Sequence, residues 1–442
     1  MTKPTSNVVP INETVRTEDA LALAFERTNA RRFVFNATAN TWLFWNGKVW
    51  AADHTGMVID AIRQHCRDSG ASDKFQKSAS VKGVEFFCRA ARVFARSNAD
   101  FDKDPWLLGT PGGTVELQTG TVRTADPAEL MTRSTSIAPV KGEPKRWLKF
   151  LQEATNCDAS MIRYLKQFAG YSLTGNTSAH AVFFIFGNGG TGKSTFVNTL
   201  LKIFGSYGRT SPMDAFAEQA FAAHPTEIAM LDGARLVVAN ETEQGRKWAA
   251  ARIKALSGGD EITARYMRQD FFSFRPQCKL CFVGNFAPNF ESVDDALRRR
   301  FNVLPFDVKP AVKDERLVEA LEREAPHILA WAIEGCADWR QNGFILPEKV
   351  REASGAYFEA QDQFSAWLTE CISRDDYKAT TLRSVALSSW NAFRHRSGEK
   401  PESGKDLAQR LRQAAFQEGK ARGNASRERA WLGMEVRHVS HT

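Results

Sequence analysis

The sequence has no long apolar run; none approaches the ~20 residues that a membrane-spanning helix needs. Its opening, Met1-Thr-Lys-Pro-Thr-Ser-Asn7, leads into no apolar stretch of the kind that forms a secretory leader. Cysteine is scarce, with seven in 442 residues, and too scattered for a disulfide framework, which fits a reducing compartment. Cys278 and Cys281 form a lone Cys-x-x-Cys with no second pair at metal-ligand spacing. They fall in a strand-like run and read as packing rather than zinc. Internal repeats and low-complexity tracts are also absent. The formal charge of +8 is mild: it permits a polyanionic partner without requiring one. With 43% hydrophobic and 25% charged residues the composition is that of a globular protein, long enough for about three domains. The expectation is a soluble, cytoplasmic protein with no membrane partner.

Residues 1–20 are polar and read as a flexible N-terminus. From 21 to 145 short helix and strand patterns mix, giving an α+β domain. Trp42-Leu-Phe-Trp45 and Val49-Trp50 flank Asn46-Gly47 and predict a hairpin. Residues 105–109, 112–117 and 119–123 predict further strands joined by turns. Trp42, Trp45, Trp50 and Trp106 could stack on bases, but packing is the better reading. Helical periodicity begins at 146: Trp147, Phe150, Leu151 and Ala154 make one stripe, and Ile162, Leu165, Phe168 and Ala169 another, over a segment of 146–178. A core of alternating strand and helix patterns over 179–308, a helical segment over 309–375 and a separate tail over 376–442 complete the division.

The strongest local signal is Gly187-Asn188-Gly189-Gly190-Thr191-Gly192-Lys193-Ser194, with the Gly-x4-Gly-Lys-Ser spacing of a phosphate-binding loop. An apolar run, 181–186, predicts a buried strand before it, and 195–204 a helix after it, ended by Gly205. Glycines let successive N–H groups turn toward one anion, and the helix N-terminus adds partial positive charge. Lys193 can reach the β/γ-phosphates, the Ser194 hydroxyl can hold Mg²⁺, and Thr195 opens the helix behind them. The pattern predicts a bound nucleoside triphosphate, ATP with Mg²⁺.

Three later runs narrow the chemistry. Leu236-Val-Val-Ala239 predicts a strand neighbouring the loop, and Glu241 and Glu243 follow at its carboxyl end. One can help hold Mg²⁺ and the other orient the attacking water; which does which stays open. Lys279-Leu-Cys-Phe-Val-Gly-Asn285 predicts a strand ending in Asn285, an amide able to sense the γ-phosphate. Asp294-Asp-Ala-Leu-Arg-Arg-Arg300 precedes a further strand, and Arg299 or Arg300 could act across a subunit interface. Residues 261–275 predict a hairpin exposing Arg265, Tyr266 and Arg268, a cationic and aromatic set suited to sequence-tolerant contact with single-stranded DNA.

Taken in order, these runs resemble the superfamily 3 helicase domain of phage and plasmid primase–helicase proteins, a clade of the AAA+ ATPases related to poxvirus primase–helicases. The carrying text is 186–194, 235–243, 256–265, 282–288 and 296–306. Upstream text also fits: Asp104-Pro-Trp-Leu-Leu, Leu117-Gln-Thr-Gly120 and Phe168-Ala-Gly-Tyr-Ser-Leu-Thr-Gly175. The resemblance implies an α/β fold: an AAA+ P-loop ATPase core with an N-terminal α+β domain, a helical collar and a C-terminal winged helix. It implies a homo-oligomeric ring, usually a hexamer, translocating on single-stranded DNA. Carried over, Lys193 and Ser194 hold phosphate and Mg²⁺, Glu241 and Glu243 form the acidic site, and Asn285 is the sensor. Arg299 or Arg300 becomes the finger, and the 261–275 hairpin the pore loop. Two departures stand out. Thr191 replaces an Asn common among relatives, and no zinc cluster or paired strand acids suited to polymerising nucleotides precede the collar. A separate primase or polymerase partner is therefore expected.

From Arg383 onward, 12 Lys and Arg face 6 Asp and Glu. A helix over 381–396 buries Ala386, Trp390 and Phe393, and Ser403-Gly-Lys-Asp406 has capping-box spacing for a second. Strand-like 415–417 and 431–436 bracket Lys420, Arg422, Arg427 and Arg429. Helix, helix and basic ribbon predict a winged helix making salt-sensitive phosphate contacts. The leading expectation is an ATP-dependent helicase acting on single-stranded and forked DNA. The rival is a replication initiator whose ATPase is a loading switch without processive unwinding.

Overall fold

The computed structural model describes residues 17–69, 73–218, 225–240, 247–265, 270–285, 289–290, 293–310, 312, 314–376, 378–396, 400–420 and 428–437. Two compact units divide the chain, Met1–Ala138 and Pro139–Thr442.

In the first unit three helices, Glu18–Asn29, Met57–Asp68 and Ser78–Ala90, cover a sheet ordered Trp50–Ala52, Thr41–Trp45, Phe33–Asn36, Ala95–Arg96. Leu21, Phe25, Val58, Ile62, Val84 and Phe94 fill the layer between them. The Asn46-Gly47 hairpin is present, with Trp45 opposite Trp50. Packing decides Trp42, 7% exposed, whose indole donates to Glu85 Oε1 at 2.7 Å. Leu107–Thr110, Gly113–Glu116 and Thr121–Arg123 form a separate meander. One expectation fails here. The first helix starts at Glu18, inside the stretch read as flexible, because Thr17 accepts from the Ala20 N–H and Glu18 and Asp19 meet the helix dipole.

The second unit is built on a five-stranded, wholly parallel sheet. Its order is Phe301–Pro305, Val182–Phe186, Lys279–Gly284, Leu236–Asn240, Gly208–Ser211. Both faces are covered, which explains why Val182–Phe186 is continuously apolar. Phe183 meets Phe168 at 4.4 Å on the face carrying the helices Lys145–Thr155, Ala159–Leu173 and Lys193–Phe204. On the other face Phe184, Trp248, Phe282 and Phe301 pack with Tyr357 and Phe358 of the long helix Glu348–Cys371. Cys278, just before the strand Lys279–Gly284, and Cys281 within it are both buried, and burial pushes the Cys278 thiol up to about 11. No cluster of metal-ligating side chains occurs among the described residues.

Three boundaries move. Residues 139–145 belong with the second unit, since Val140 N–H donates to Pro326 O and His327 packs on Gly142. The helix after the glycine-rich loop begins at Lys193 rather than 195. The tail is not separate. Phe364, Trp367 and Cys371 of the long helix share one core with Trp390, Leu407, Leu411 and Trp431, and Ile372–Ser373 pairs with Glu435–Val436. In that tail the strand Thr380–Leu382 precedes the helices Arg383–Arg396 and Gly404–Gln413. The ribbon strands are Gln417–Lys420 and Arg429–Leu432, displaced from 415–417 and 431–436 because Gly433, at φ 63°, turns the chain after Leu432.

Candidate functional site

The glycine-rich loop joins the strand Val182–Phe186 to the helix Lys193–Phe204 at the carboxyl edge of the sheet. Gly187 sits at φ 149°, and a Cβ there would lie 2.1 Å from the Phe306 carbonyl oxygen, so no other residue fits where the loop leaves the sheet. Asn188, Gly189 and Gly190 are exposed, whereas Thr191 is buried and its hydroxyl donates back to Asn188 O at 3.0 Å. Ser194 is exposed at the helix N-terminus and Thr195 half-buried. Phe150 supports the far end of the loop, directly beneath Gly192.

Lys193 is only 7% exposed. Its ammonium donates to Gly187 O at 2.6 Å, Asn188 O at 2.7 Å and Asn285 Oδ1 at 2.9 Å. Burial pushes it below the ordinary lysine value, while the Asp307 carboxylate acts in the opposite direction. An ammonium held by neutral oxygens with one carboxylate nearby can still attract a polyanion.

Asn285 ends the strand Lys279–Gly284, which lies directly against the loop strand. The strand Leu236–Asn240, expected to neighbour the loop, stands one place farther out, with Lys279–Gly284 between them. A crossover produced this order, and strand patterns alone do not reveal it. Glu241 and Glu243 lie outside the described residues, as do Tyr266, Arg268, Arg422 and Arg427.

The three consecutive arginines separate. Arg298 is tied within the chain, donating to both Asp362 oxygens (2.6 and 2.7 Å) and lying 5.0 Å over the Phe358 ring. Arg299 is exposed, its Nε donating to Asp295 O at 3.2 Å, and Arg300 is half-buried. The hairpin pairs Ile262–Ala264 with Phe272–Phe274, and exposed Arg265 lies 4.9 Å over Phe271, itself 61% exposed. In the tail ribbon Lys420 and Arg429 stand directly opposite each other, both exposed. Like charges in that register repel, a cost that an anion would relieve.

Sequence reading missed Asp307, Phe306 and Phe150. Asp307 was visible just beyond the last sheet strand, but 114 positions separate it from Lys193, and only the strand order brings the two together. Phe150 carries no sign beyond its apolar stripe.

Residues 22–156 match the family described as D5 N terminal like, and residues 185–300 match a family of unknown function. A helicase-named protein of Acanthamoeba polyphaga mimivirus is 24% identical over 304 residues, 63% of this chain and 32% of the relative. A helicase-named protein of Frog virus 3 (isolate Goorha) is 26% identical over 242 residues, 49% of this chain and 25% of the relative. The chain thus spans about a third or less of the curated relatives it matches. Among solved structures, the apo NrS-1 C terminal region superposes with a TM-score of 0.52 at 12% identity, covering 95% of this chain and 100% of that one. At that identity the likeness concerns the fold. No helix among the described residues is long and apolar enough to cross a membrane.

Proposed function

On the premise that the chain belongs to the phage and viral primase–helicase family, we propose that it is an ATP-driven DNA helicase motor of replication. The carrying observation is the contact of Lys193 Nζ with Asn285 Oδ1 at 2.9 Å, across adjacent parallel strands and over a loop built on Gly187. It puts a cation for the β/γ-phosphates and an amide for the γ-phosphate or lytic water at one point. The sheet order, with the loop strand second and the amide strand third, supports an AAA+ core.

In this reading ATP phosphates take the loop's N–H groups, and Lys193 exchanges a carbonyl partner for phosphate oxygen. The exposed Ser194 hydroxyl, with Glu241, would hold Mg²⁺, which supplies charge neutralisation between the β- and γ-phosphates. Glu243 and Asn285 orient the water. Arg299 or Arg300 reaches a neighbouring subunit's ATP, so hydrolysis requires a ring, proposed as a hexamer. The Arg265 hairpin grips single-stranded DNA, and Lys420 and Arg429, on a winged helix, contact phosphate.

ATP hydrolysis stimulated by single-stranded DNA tests this reading. Lys193→Ala should lower the stimulated rate by about 10²–10³-fold while the fold persists. A wild type that is folded yet hydrolyses no ATP, with or without DNA, would sink it.

A further inference from the structure

The glycine-rich loop suits a triphosphate and says nothing of where the nucleobase goes. A cleft of about 480 Å³ opens on the sheet face opposite the helix Lys193–Phe204. Its floor is Phe184, Phe186, Val303 and Pro305, from the loop strand and the edge strand beside it. Phe186 immediately precedes Gly187, and Pro305 and Asp307, both on the lining, flank Phe306, whose carbonyl packs on Gly187. The cleft therefore lies next to the start of the loop.

We propose that this cleft seats the base of the bound nucleotide, and that the helix Gly404–Gln413 of the C-terminal module forms one of its walls. The proposal rests on the reading that the loop binds a nucleoside triphosphate. Shape is the first support. On the long helix, Ala353, Ala356 and Ala360 line the cleft at spacings of three and four, with Tyr357 and Gln361 beside them, so three methyl groups leave room above the apolar floor. The volume falls within the range of small-molecule sites, which are mostly apolar with a few placed polar groups.

Polarity is the second support. Asp307, Glu402 and Asp406 line the cleft, and Arg410, the one cation among the described residues lining it, is paired with Glu402 at 2.9 Å. Phosphate would be repelled there, whereas a neutral base with exocyclic N–H donors would not. Glu402 is otherwise occupied by the Trp390 indole at 2.5 Å. Gln409 is half-buried on the lining and its side chain makes no hydrogen bond among the described residues, leaving an amide that can donate and accept together. A base edge presents that same pairing.

The arrangement has a consequence for regulation. The base would bridge the ATPase sheet and the helix preceding the basic ribbon, so that nucleotide binding steadies the C-terminal module against the core.

The test uses the full chain with Mg²⁺ and calorimetric titration of ATP and of inorganic tripolyphosphate. Ala356 is exposed, so Ala356→Trp can fill the cleft without disturbing a core. It should weaken ATP at least about tenfold and leave tripolyphosphate unchanged. Gln409→Ala should weaken ATP about three- to tenfold, again sparing tripolyphosphate. Unchanged ATP affinity in both variants overturns the base site, as does a parallel loss of tripolyphosphate. A wild type that binds neither compound overturns the phosphate-loop reading itself, a result distinct from the other two.

Discussion

Lys193 illustrates how one residue acquires its chemistry from position. Its four-carbon stem is buried and its ammonium meets three oxygens within 2.9 Å, two of them backbone carbonyls of the loop. The arginines are distinguished in the same way. Arg298 spends its charge on Asp362 and Phe358, leaving Arg299 and Arg300 as candidates to act on another subunit. For the proposed composite site, mixing Lys193→Ala subunits with Arg299→Ala or Arg300→Ala subunits should restore part of the hydrolysis lost in each alone. The rescued partner identifies the finger, worth on the order of 10³–10⁵ in rate; absence of rescue in both mixtures would refute action in trans. At this scale the sequence was informative wherever spacing encodes chemistry, as in 187–194. It was silent about Asp307, because a single carboxylate carries no pattern.

At the scale of elements, the helices Ala159–Leu173 and Ala325–Asn342 pack backbone against backbone. A Cβ on Gly170 would lie 2.0 Å from Cys336 N, and one on Gly335 2.0 Å from Lys166 O, so the two backbones touch. Gly335→Ala should therefore cost about 1–3 kcal/mol or more, measurable by denaturant unfolding. An unchanged midpoint would contradict the close packing. The same pair is clamped by Asp338, which accepts two bonds from Arg163 (2.6 and 2.8 Å), one from Gln167 (3.0 Å) and one from Asn342 (2.8 Å). The Arg163 guanidinium foremost holds its carboxyl down to about 2 from 3.8. Because the folded value is the lower one, the stabilisation is present above pH 3.8 and is lost as pH falls through about 2. Asp338→Asn should thus lower the melting temperature at pH 7 and make less difference near pH 2. An equal difference at both values would contradict the assignment. Gly170 follows the last apolar residue of its stripe, where a glycine commonly ends a helix, yet the helix runs on to Leu173. A glycine needed for close approach looks the same on the page as one that stops a helix. Strand order was equally hidden: the apolar runs at 236–239 and 279–284 were evident, but not that the second lies between the first and the loop.

At the scale of the whole molecule, the sequence reads as several segments, one boundary falling at 145 where helical periodicity begins, whereas the structure divides the chain into two units after Ala138. The tail read as independent, yet Trp367 and Trp390, 5.2 Å apart, bind it to the long helix through a shared core. Sequence pattern marks which residues are apolar and leaves open which neighbour they meet. Covalent continuity through the helix Glu348–Cys371 gives the proposed motor a direct mechanical link between the sheet that would bind ATP and the module that would bind DNA. Unwinding is where every part of the proposal must work together. The decisive measurement is strand displacement on a forked DNA with ATP and Mg²⁺, comparing the wild type with Lys193→Ala. Displacement by the wild type and none by the folded Lys193→Ala variant is the predicted result. Oligomeric, ATP-hydrolysing wild type that binds the fork and separates no strands would contradict it, and would leave the ATPase as a loading switch.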